Sequence, residues 1–186
     1  RKLPFNSYPE IREDFILTLK KVYEIMQTKN LLDKKIILGG MSSGGNLAAL
    51  LFLDHSLLEN TGFTTAHFSS AFLCGAPVNL AGMTDSFLLA NYAGKRGSLP
   101  FKKASPINFL PISFSKHILV VHGTADGLVN YRGTADFVAQ LNKVSKTPVV
   151  FHRIPNGSHL NAVSWVYEDN EVRQKILSWL RGQERG

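Results

Sequence analysis

A serine, an acidic residue and a histidine each follow a predicted strand in this chain of 186 residues. Ser42 is the centre of a G-x-S-x-G sequence at 40–44, Asp126 ends the loop that follows an apolar run at 118–121, and His159 follows a glycine-containing turn. A serine hydroxyl, a histidine that takes and returns its proton, and an acid that orients the histidine together perform nucleophilic acyl transfer. The order serine, acid, histidine is typical of triads on parallel α/β sheets. The set therefore predicts chemistry through a covalent acyl intermediate.

Each residue of this set has a distinct predicted role. Ser42 is the nucleophile, His159 is the general base and later the general acid, and Asp126 holds the imidazole in the useful tautomer. The backbone N–H of Ser43, at the start of the following helix, is predicted to donate to the oxyanion, and the partial positive charge of the helix terminus adds to that stabilisation. We expect this chemistry to use no cofactor and no metal ion.

Rival residues for these roles are less well placed. With Ser43 as the nucleophile, Met41 would stand where the turn requires a small residue. Asp136 falls within a helical apolar periodicity and is interpreted as a surface charge. The remaining histidines lie in or beside predicted elements and are interpreted as packing, surface or strand-end hydrogen-bonding residues: His55, His67, His117, His122 and His152.

The elements around Ser42 provide the context that a nucleophile elbow requires. An apolar run at 36–38 predicts a strand, and the run at 46–53 predicts a helix that is buried on nearly every side. The sharp turn between them requires small residues two positions on either side of the serine, at Gly40 and Gly44. Four strands are predicted, at 35–39, 69–74, 117–122 and 148–154. Because helical segments separate these strands, the sequence predicts a three-layer α/β/α fold with a mostly parallel sheet.

Four segments together resemble the α/β-hydrolase superfamily, and within it the small esterases of the hormone-sensitive-lipase-like and feruloyl-esterase-like type. The segments lie in family order at 40–47, 104–108, 122–126 and 157–159. The resemblance implies an α/β-hydrolase fold and an esterase or lipase-like serine hydrolase that cleaves a small-molecule carboxylic ester. Two alternatives stay open: an acyl-peptide or prolyl-oligopeptidase-type amidase, and a non-catalytic or incomplete hydrolase-like binding protein.

Two parts of the family pattern do not occur in the sequence. It has no HGGG-type segment, from which relatives take a second oxyanion donor, and it has four predicted strands where the fold normally has about eight. We therefore expect the C-terminal portion of one α/β-hydrolase domain at 1–186, with a lid-like excursion at about 76–114. The strand at 35–39 would then be an apolar edge, and we expect a partner chain, a dimer contact or a rearranged edge to satisfy it.

Composition argues against several other classes of protein. The hydrophobic fraction of 44% and the lack of a linker-like segment indicate one globular domain. No apolar stretch is long enough to span a membrane. The net charge of +7 is spread over predicted helix faces without interleaved aromatic residues, so nucleic-acid binding is not expected. The single cysteine, Cys74, provides neither a disulfide framework nor a metal cluster and favours a cytoplasmic protein.

Overall fold

The computed structural model describes residues 5–183, which form a four-stranded parallel sheet with helices on both faces. The strands are β1 (Ile36–Met41), β2 (Phe68–Cys74), β3 (His117–Gly123) and β4 (Val150–Ile154), and they lie side by side in chain order. The α-helices are α1 (Tyr8–Thr28), α2 (Ser42–Leu53), α3 (Phe87–Ala93), α4 (Leu99–Lys103), α5 (Tyr131–Val144), α6 (His159–Val163) and α7 (Glu171–Gln183). The predicted three-layer α/β/α fold is confirmed, and each strand begins and ends within two residues of its predicted position.

Side chains alternate in direction along each strand, and this produces one apolar core on each face of the sheet. In β3, Ile118 and Val120 pack into a core with α1, α2 and α5, whereas Leu119 and Val121 pack into a second core with α6 and α7. Because successive side chains of a strand point to opposite faces, a strand that is covered on both sides must be apolar throughout. This explains why 118–121 is an unbroken apolar run.

Two helices bury the residues that their sequences indicate. In α2, residues 48–53 are all buried, as expected for a helix that is apolar on nearly every side. In α7, Val172, Ile176 and Trp179 lie on one face and pack into the second core. The helix that follows Ser42 is therefore held firmly against the sheet.

All four strands end at the same edge of the sheet, which is where open α/β sheets hold their sites. Ser42 follows β1 directly, Asp126 follows the end of β3 by three residues, and His159 follows the end of β4 by five. Neighbouring strands lie about 4.8 Å apart, so β1 and β3, with β2 between them, are about 10 Å apart. His159 follows β4, so the loop that carries it must fold back over β3 to place the histidine between the serine and the acid.

The segment between β2 and β3 packs against the first core. Val78, Leu89 and Phe101 are buried there. The guanidinium of Arg96 donates to the carbonyl oxygen of Ala81 at 2.9 Å, which ties the segment to itself. The role of 76–114 as a lid and the assignment of 1–186 to a single domain stay predictions.

Candidate active site

Ser42 lies at a sharp junction between a strand and a helix. β1 ends at Met41 and α2 begins at Ser42, with no connecting loop. The serine has a φ of +49°, a left-handed conformation that costs a non-glycine residue about 1–3 kcal/mol and that is concentrated at functional turns. This is the strand-to-helix turn that the sequence indicates.

Close packing around this turn requires small residues at Gly40 and Gly45. A Cβ atom on Gly40 would lie 2.3 Å from the carbonyl oxygen of Gly44, and a Cβ atom on Gly45 would lie 2.7 Å from Ala76 Cβ. A Cβ atom on Gly44 itself would have no neighbour within 4 Å. The expectation that both residues two positions from the serine must be small is therefore wrong for Gly44. The tight contact on the helix side falls one residue later, where α2 passes the segment after β2.

Ser42, His159 and Asp126 form one hydrogen-bonded chain. His159 Nε2 lies 3.1 Å from Ser42 Oγ, and His159 Nδ1 lies 2.8 Å from Asp126 Oδ2. Because the carboxylate is an acceptor, we assign the imidazole proton to Nδ1, which leaves Nε2 free to accept the hydroxyl proton of the serine. The histidine is only 8% exposed, so little water competes for these bonds. The arrangement is suited to removing a proton from the serine hydroxyl.

The side chain of Asp126 is buried, and each of its oxygens has a partner. Its side chain has no exposed surface. Oδ1 accepts hydrogen bonds from the backbone N–H groups of Leu128 and Val129, both at 2.8 Å, while Oδ2 accepts from His159. A buried carboxylate requires such donors because burial removes its water. These bonds fix the direction in which the acid faces the histidine.

The turn that carries His159 is anchored to the loop that carries Asp126. The backbone N–H of Ala125 donates to the carbonyl oxygen of Gly157 at 2.9 Å. The two loops lie so close together that a Cβ atom on Gly123 would come within 2.2 Å of the same oxygen. This contact brings the histidine back from β4 across β3 towards the serine.

Gly75, directly after β2, provides space for the imidazole between the serine and the acid. Its φ is +55°, and a Cβ atom there would lie 3.1 Å from His159 Cε1 and 3.1 Å from Val163 Cγ1. A larger residue would press on the ring. Gly75 was not predicted from the sequence, because a glycine after a strand is the only local signal and many turns share it.

His122 lies on the other side of the acid. It is fully buried, and its Nε2 lies 3.1 Å from the carbonyl oxygen of Val129 and 3.3 Å from Asp126 Oδ2. Burial lowers the pKa of His122, which outweighs the opposite effects of the Val129 carbonyl and the Asp126 carboxylate. The interpretation of His122 as a strand-end hydrogen-bonding residue is confirmed, but its closeness to Asp126 was not predicted.

The rival residues have other surroundings. Asp136 is exposed on α5, where it accepts a hydrogen bond from Gln140 at 3.0 Å. Burial raises the pKa of the Cys74 thiol to about 12, so it is not a thiolate nucleophile at neutral pH.

The N–H of Ser43 belongs to the first turn of α2, where backbone donors have no partner within the helix. Among residues 5–183, no three His, Cys, Asp or Glu side chains are grouped so that they could hold a metal ion.

Comparison with known proteins connects the chain to one family. The model of the prolyl oligopeptidase family matches residues 13–183. No curated protein sequence gives a significant match.

Solved structures share the fold over nearly the whole chain. A truncated form of a carbohydrate esterase from gut microbiota has a TM-score of 0.76 at 19% identity, over 97% of this chain and 70% of its own. An acetyl ester-xyloside bifunctional hydrolase from Caldicellulosiruptor lactoaceticus has a TM-score of 0.75 at 18% identity, over 98% and 69% of the two chains. A thermophilic esterase from Thermogutta terrifontis, solved with butyrate bound, has a TM-score of 0.68 at 21% identity, over 95% and 65%. Together with the family match over residues 13–183, this shared fold confirms the resemblance to the α/β-hydrolase superfamily. The chain spans about two thirds of the length of these proteins.

Proposed function

The chain belongs to the prolyl oligopeptidase family of α/β-hydrolases, and we propose that it is a serine hydrolase that cleaves carboxylic esters through an acyl-enzyme. The observation that carries the proposal is the chain of hydrogen bonds from Ser42 Oγ to His159 at 3.1 Å and from His159 to Asp126 at 2.8 Å. The family supports hydrolysis in general. The esterases among the similar structures support a small-molecule ester as the substrate.

In the proposed acylation step, Ser42 Oγ attacks the carbonyl carbon of the ester while His159 Nε2 takes the hydroxyl proton. The carbonyl oxygen becomes an oxyanion, and the N–H of Ser43 at the positive end of α2 donates to it. Asp126 stabilises the imidazolium during this step. The imidazolium then protonates the departing alkoxide, which leaves as the alcohol, and the acyl group stays on Ser42.

Deacylation repeats the same proton transfers with water in place of the serine hydroxyl. His159 Nε2 takes a proton from water as the water oxygen attacks the acyl carbon. The tetrahedral intermediate collapses, the carboxylic acid leaves, and the proton returns from His159 to Ser42 Oγ. Two chemical steps thus use one base and one oxyanion donor.

An acyl-peptide or prolyl-oligopeptidase-type amidase is the second candidate, and the family match favours it. The same three side chains would act, but the leaving group would be an amine. A p-nitrophenyl ester and a p-nitroanilide of one acyl group distinguish the two candidates. A much faster reaction with the ester supports the esterase, and similar rates for the two substrates favour the amidase.

Intact mass spectrometry after treatment with a fluorophosphonate tests the proposal. The probe forms a stable adduct with a serine that a neighbouring base has activated. We expect one adduct on the parent chain, one on Ser43→Ala and none on Ser42→Ala. Ser43→Ala is the matched control because it keeps the backbone N–H that the mechanism uses.

A folded parent chain that forms no adduct would contradict the proposal. It would favour a non-catalytic or incomplete hydrolase-like binding protein, the third candidate. The sequence contains no HGGG-type segment for a second oxyanion donor, and the loss of one such donor lowers rates by roughly 10²–10³. Labelling is therefore a better first test than turnover, because a slow enzyme still forms the adduct.

The proposal also includes a partner along β1. This strand lies at the edge of the described sheet and pairs only with β2 there. We propose that a partner chain or a second copy covers it, since unpaired backbone groups on an apolar edge favour pairing. No helix in the described part of the chain is both long and apolar enough to cross a bilayer. The cytoplasmic location and the lack of nucleic-acid binding stay predictions.

A further inference from the structure

We propose that His122 is a positioning residue for the acid of this site, because it fixes the 126–129 loop and so the direction in which Asp126 presents Oδ2 to His159. This inference rests on the proposed function, since it concerns the same three residues. It assigns a role to a buried histidine that takes no part in the proposed proton transfers.

His122 closes a ring of contacts with the loop that follows β3. Its Nε2–H donates to the carbonyl oxygen of Val129 at 3.1 Å, and the N–H of Val129 donates to Asp126 Oδ1 at 2.8 Å. The same Nε2 lies 3.3 Å from Asp126 Oδ2, the oxygen that accepts from His159. His122 is thus in contact with both ends of the loop.

The tautomer of His122 follows from these neighbours. The Val129 carbonyl oxygen and Asp126 Oδ2 are both acceptors, so Nε2 must carry the proton. Because burial lowers the pKa of His122, the ring is neutral at neutral pH. A neutral donor orients the carboxylate without taking over the ion pair that Asp126 forms with the imidazolium of His159.

The other ring nitrogen argues against a purely structural role. His122 Nδ1 is buried and has no hydrogen-bond partner among the described residues. A buried polar atom without a partner lowers stability, which an apolar side chain at this position would avoid. The histidine is therefore better explained by what its Nε2–H does than by core packing.

Neighbouring aromatic rings hold His122 in this orientation. Its ring lies edge-on to Tyr131, with the centroids 6.0 Å apart, and Tyr131 stacks on Phe151 at 5.9 Å. Such contacts restrict rotation of the imidazole. The Nε2–H therefore keeps its direction towards Val129 and Asp126.

Three variants test the proposal: His122→Leu, His122→Gln and the control His152→Leu. Leucine cannot donate, whereas the glutamine amide can place an N–H near the position of Nε2. His152 lies on β4 with its Nε2 3.2 Å from Glu171 Oε1, away from the acid's loop. The readouts are the fluorophosphonate labelling rate, and kcat and KM for p-nitrophenyl acetate, with urea unfolding as the check on folding.

We expect His122→Leu to lower kcat and the labelling rate about tenfold, the effect of one lost hydrogen bond to a charged site. KM should change less than about twofold, because His122 does not touch the substrate. His122→Gln should recover most of the loss, and His152→Leu should match the parent chain in both rates.

Three results would overturn the proposal. The first is a folded His122→Leu with the kcat of the parent chain, and the second is an equal loss in His122→Leu and His122→Gln. If His122→Leu does not fold, the variant His122→Asn takes its place, because the shorter asparagine amide cannot reach the Val129 carbonyl. The third result is then an equal rate for His122→Asn and His122→Gln. A failure of the proposed function is distinct from all of these, because the parent chain itself would then form no adduct.

Discussion

The strand ends that hold Ser42, Asp126 and His159 differ from the β1 edge of the described sheet. Polar side chains with hydrogen-bond partners form the first region, and an open apolar groove forms the second. At the strand ends, polar side chains are buried and bonded: Asp126 accepts from two backbone N–H groups and contacts His159, which also contacts Ser42. Beside β1, an open groove of about 320 Å³ lies between α1, α2 and the strand, and its lining is largely apolar. Val22 on α1 lines this groove and is 39% exposed.

The difference has a physical cause. A buried carboxylate and a buried imidazole must have partners, and the loops after β3 and β4 provide them. An apolar groove or a strand edge requires no particular partner and gains free energy from whatever covers it. We therefore expect the geometry of the site to depend on specific residues of this chain, whereas the β1 side depends on what else contacts it.

Among the changes proposed here, Gly75→Ala is expected to disturb the geometry of the site most strongly. The new Cβ would lie 3.1 Å from His159 Cε1, and displacing the ring from the serine should slow labelling on the order of 10²-fold. Gly97→Ala is the control: its φ of +77° also strains an alanine backbone, but nothing lies within 4 Å of its Cβ. Fluorophosphonate labelling rates provide the measurement. Equal rates for the two variants would show that Gly75 does not position the imidazole.

Local signals made much of this fold predictable from the sequence. Each strand contains apolar residues over a segment of strand length, and the run at 118–121 is apolar throughout because β3 is covered on both faces. Ser42 is marked by glycines and by the change from strand to helix around it. Asp126 and His159 are marked by their places after strands, since parallel strands bring their ends to one edge. Their catalytic roles stay predictions until labelling tests them.

The contacts of Gly75 with His159, and of His122 with the 126–129 loop, could not be predicted from the sequence. They depend on the order of the strands and on the path of the loops. Gly75 lies beneath the imidazole only because β2 separates β1 from β3. His122 reaches Val129 only because the loop folds back over the strand end. The same reason explains the error at Gly44: the helix contact that excludes a side chain involves Ala76, which is distant in sequence.

Tyr92→Phe tests whether the dependence on specific hydrogen bonds, seen at the strand ends, extends along α2 to Asn46. The hydroxyl of Tyr92 donates to Asn46 Oδ1 at 2.7 Å, and the Asn46 amide donates to the carbonyl oxygen of Pro77 at 2.8 Å and to that of Ala104 at 3.1 Å. Asn46 is fully buried, so the lost donor should lower the free energy of unfolding by about 1–3 kcal/mol. Urea unfolding measures this loss.

The control for this change is Tyr167→Phe, because Tyr167 is 86% exposed and should lose almost no stability. Labelling rates should be unchanged in both variants, since neither hydroxyl bonds to the serine, histidine or acid. A stability of Tyr92→Phe equal to that of the parent chain would show that Asn46 finds another donor. In that case the buried Asn46 amide stays bonded without depending on Tyr92.

The smallest effect is expected on the β1 side, from Val22→Lys. If a second copy covers the groove, the parent chain should self-associate, and a lysine on its wall should shift sedimentation towards the monomer. Leu177→Lys on α7 is the matched control, because Leu177 is 38% exposed and lies on a helix at the opposite face of the sheet. Both substitutions should change the free energy of unfolding by less than about 0.5 kcal/mol.

A parent chain that sediments as a monomer at every concentration would contradict self-association and leave a different chain as the proposed partner. Labelling should be the same in every oligomeric state, because α1 contributes none of the hydrogen bonds that join Ser42, His159 and Asp126.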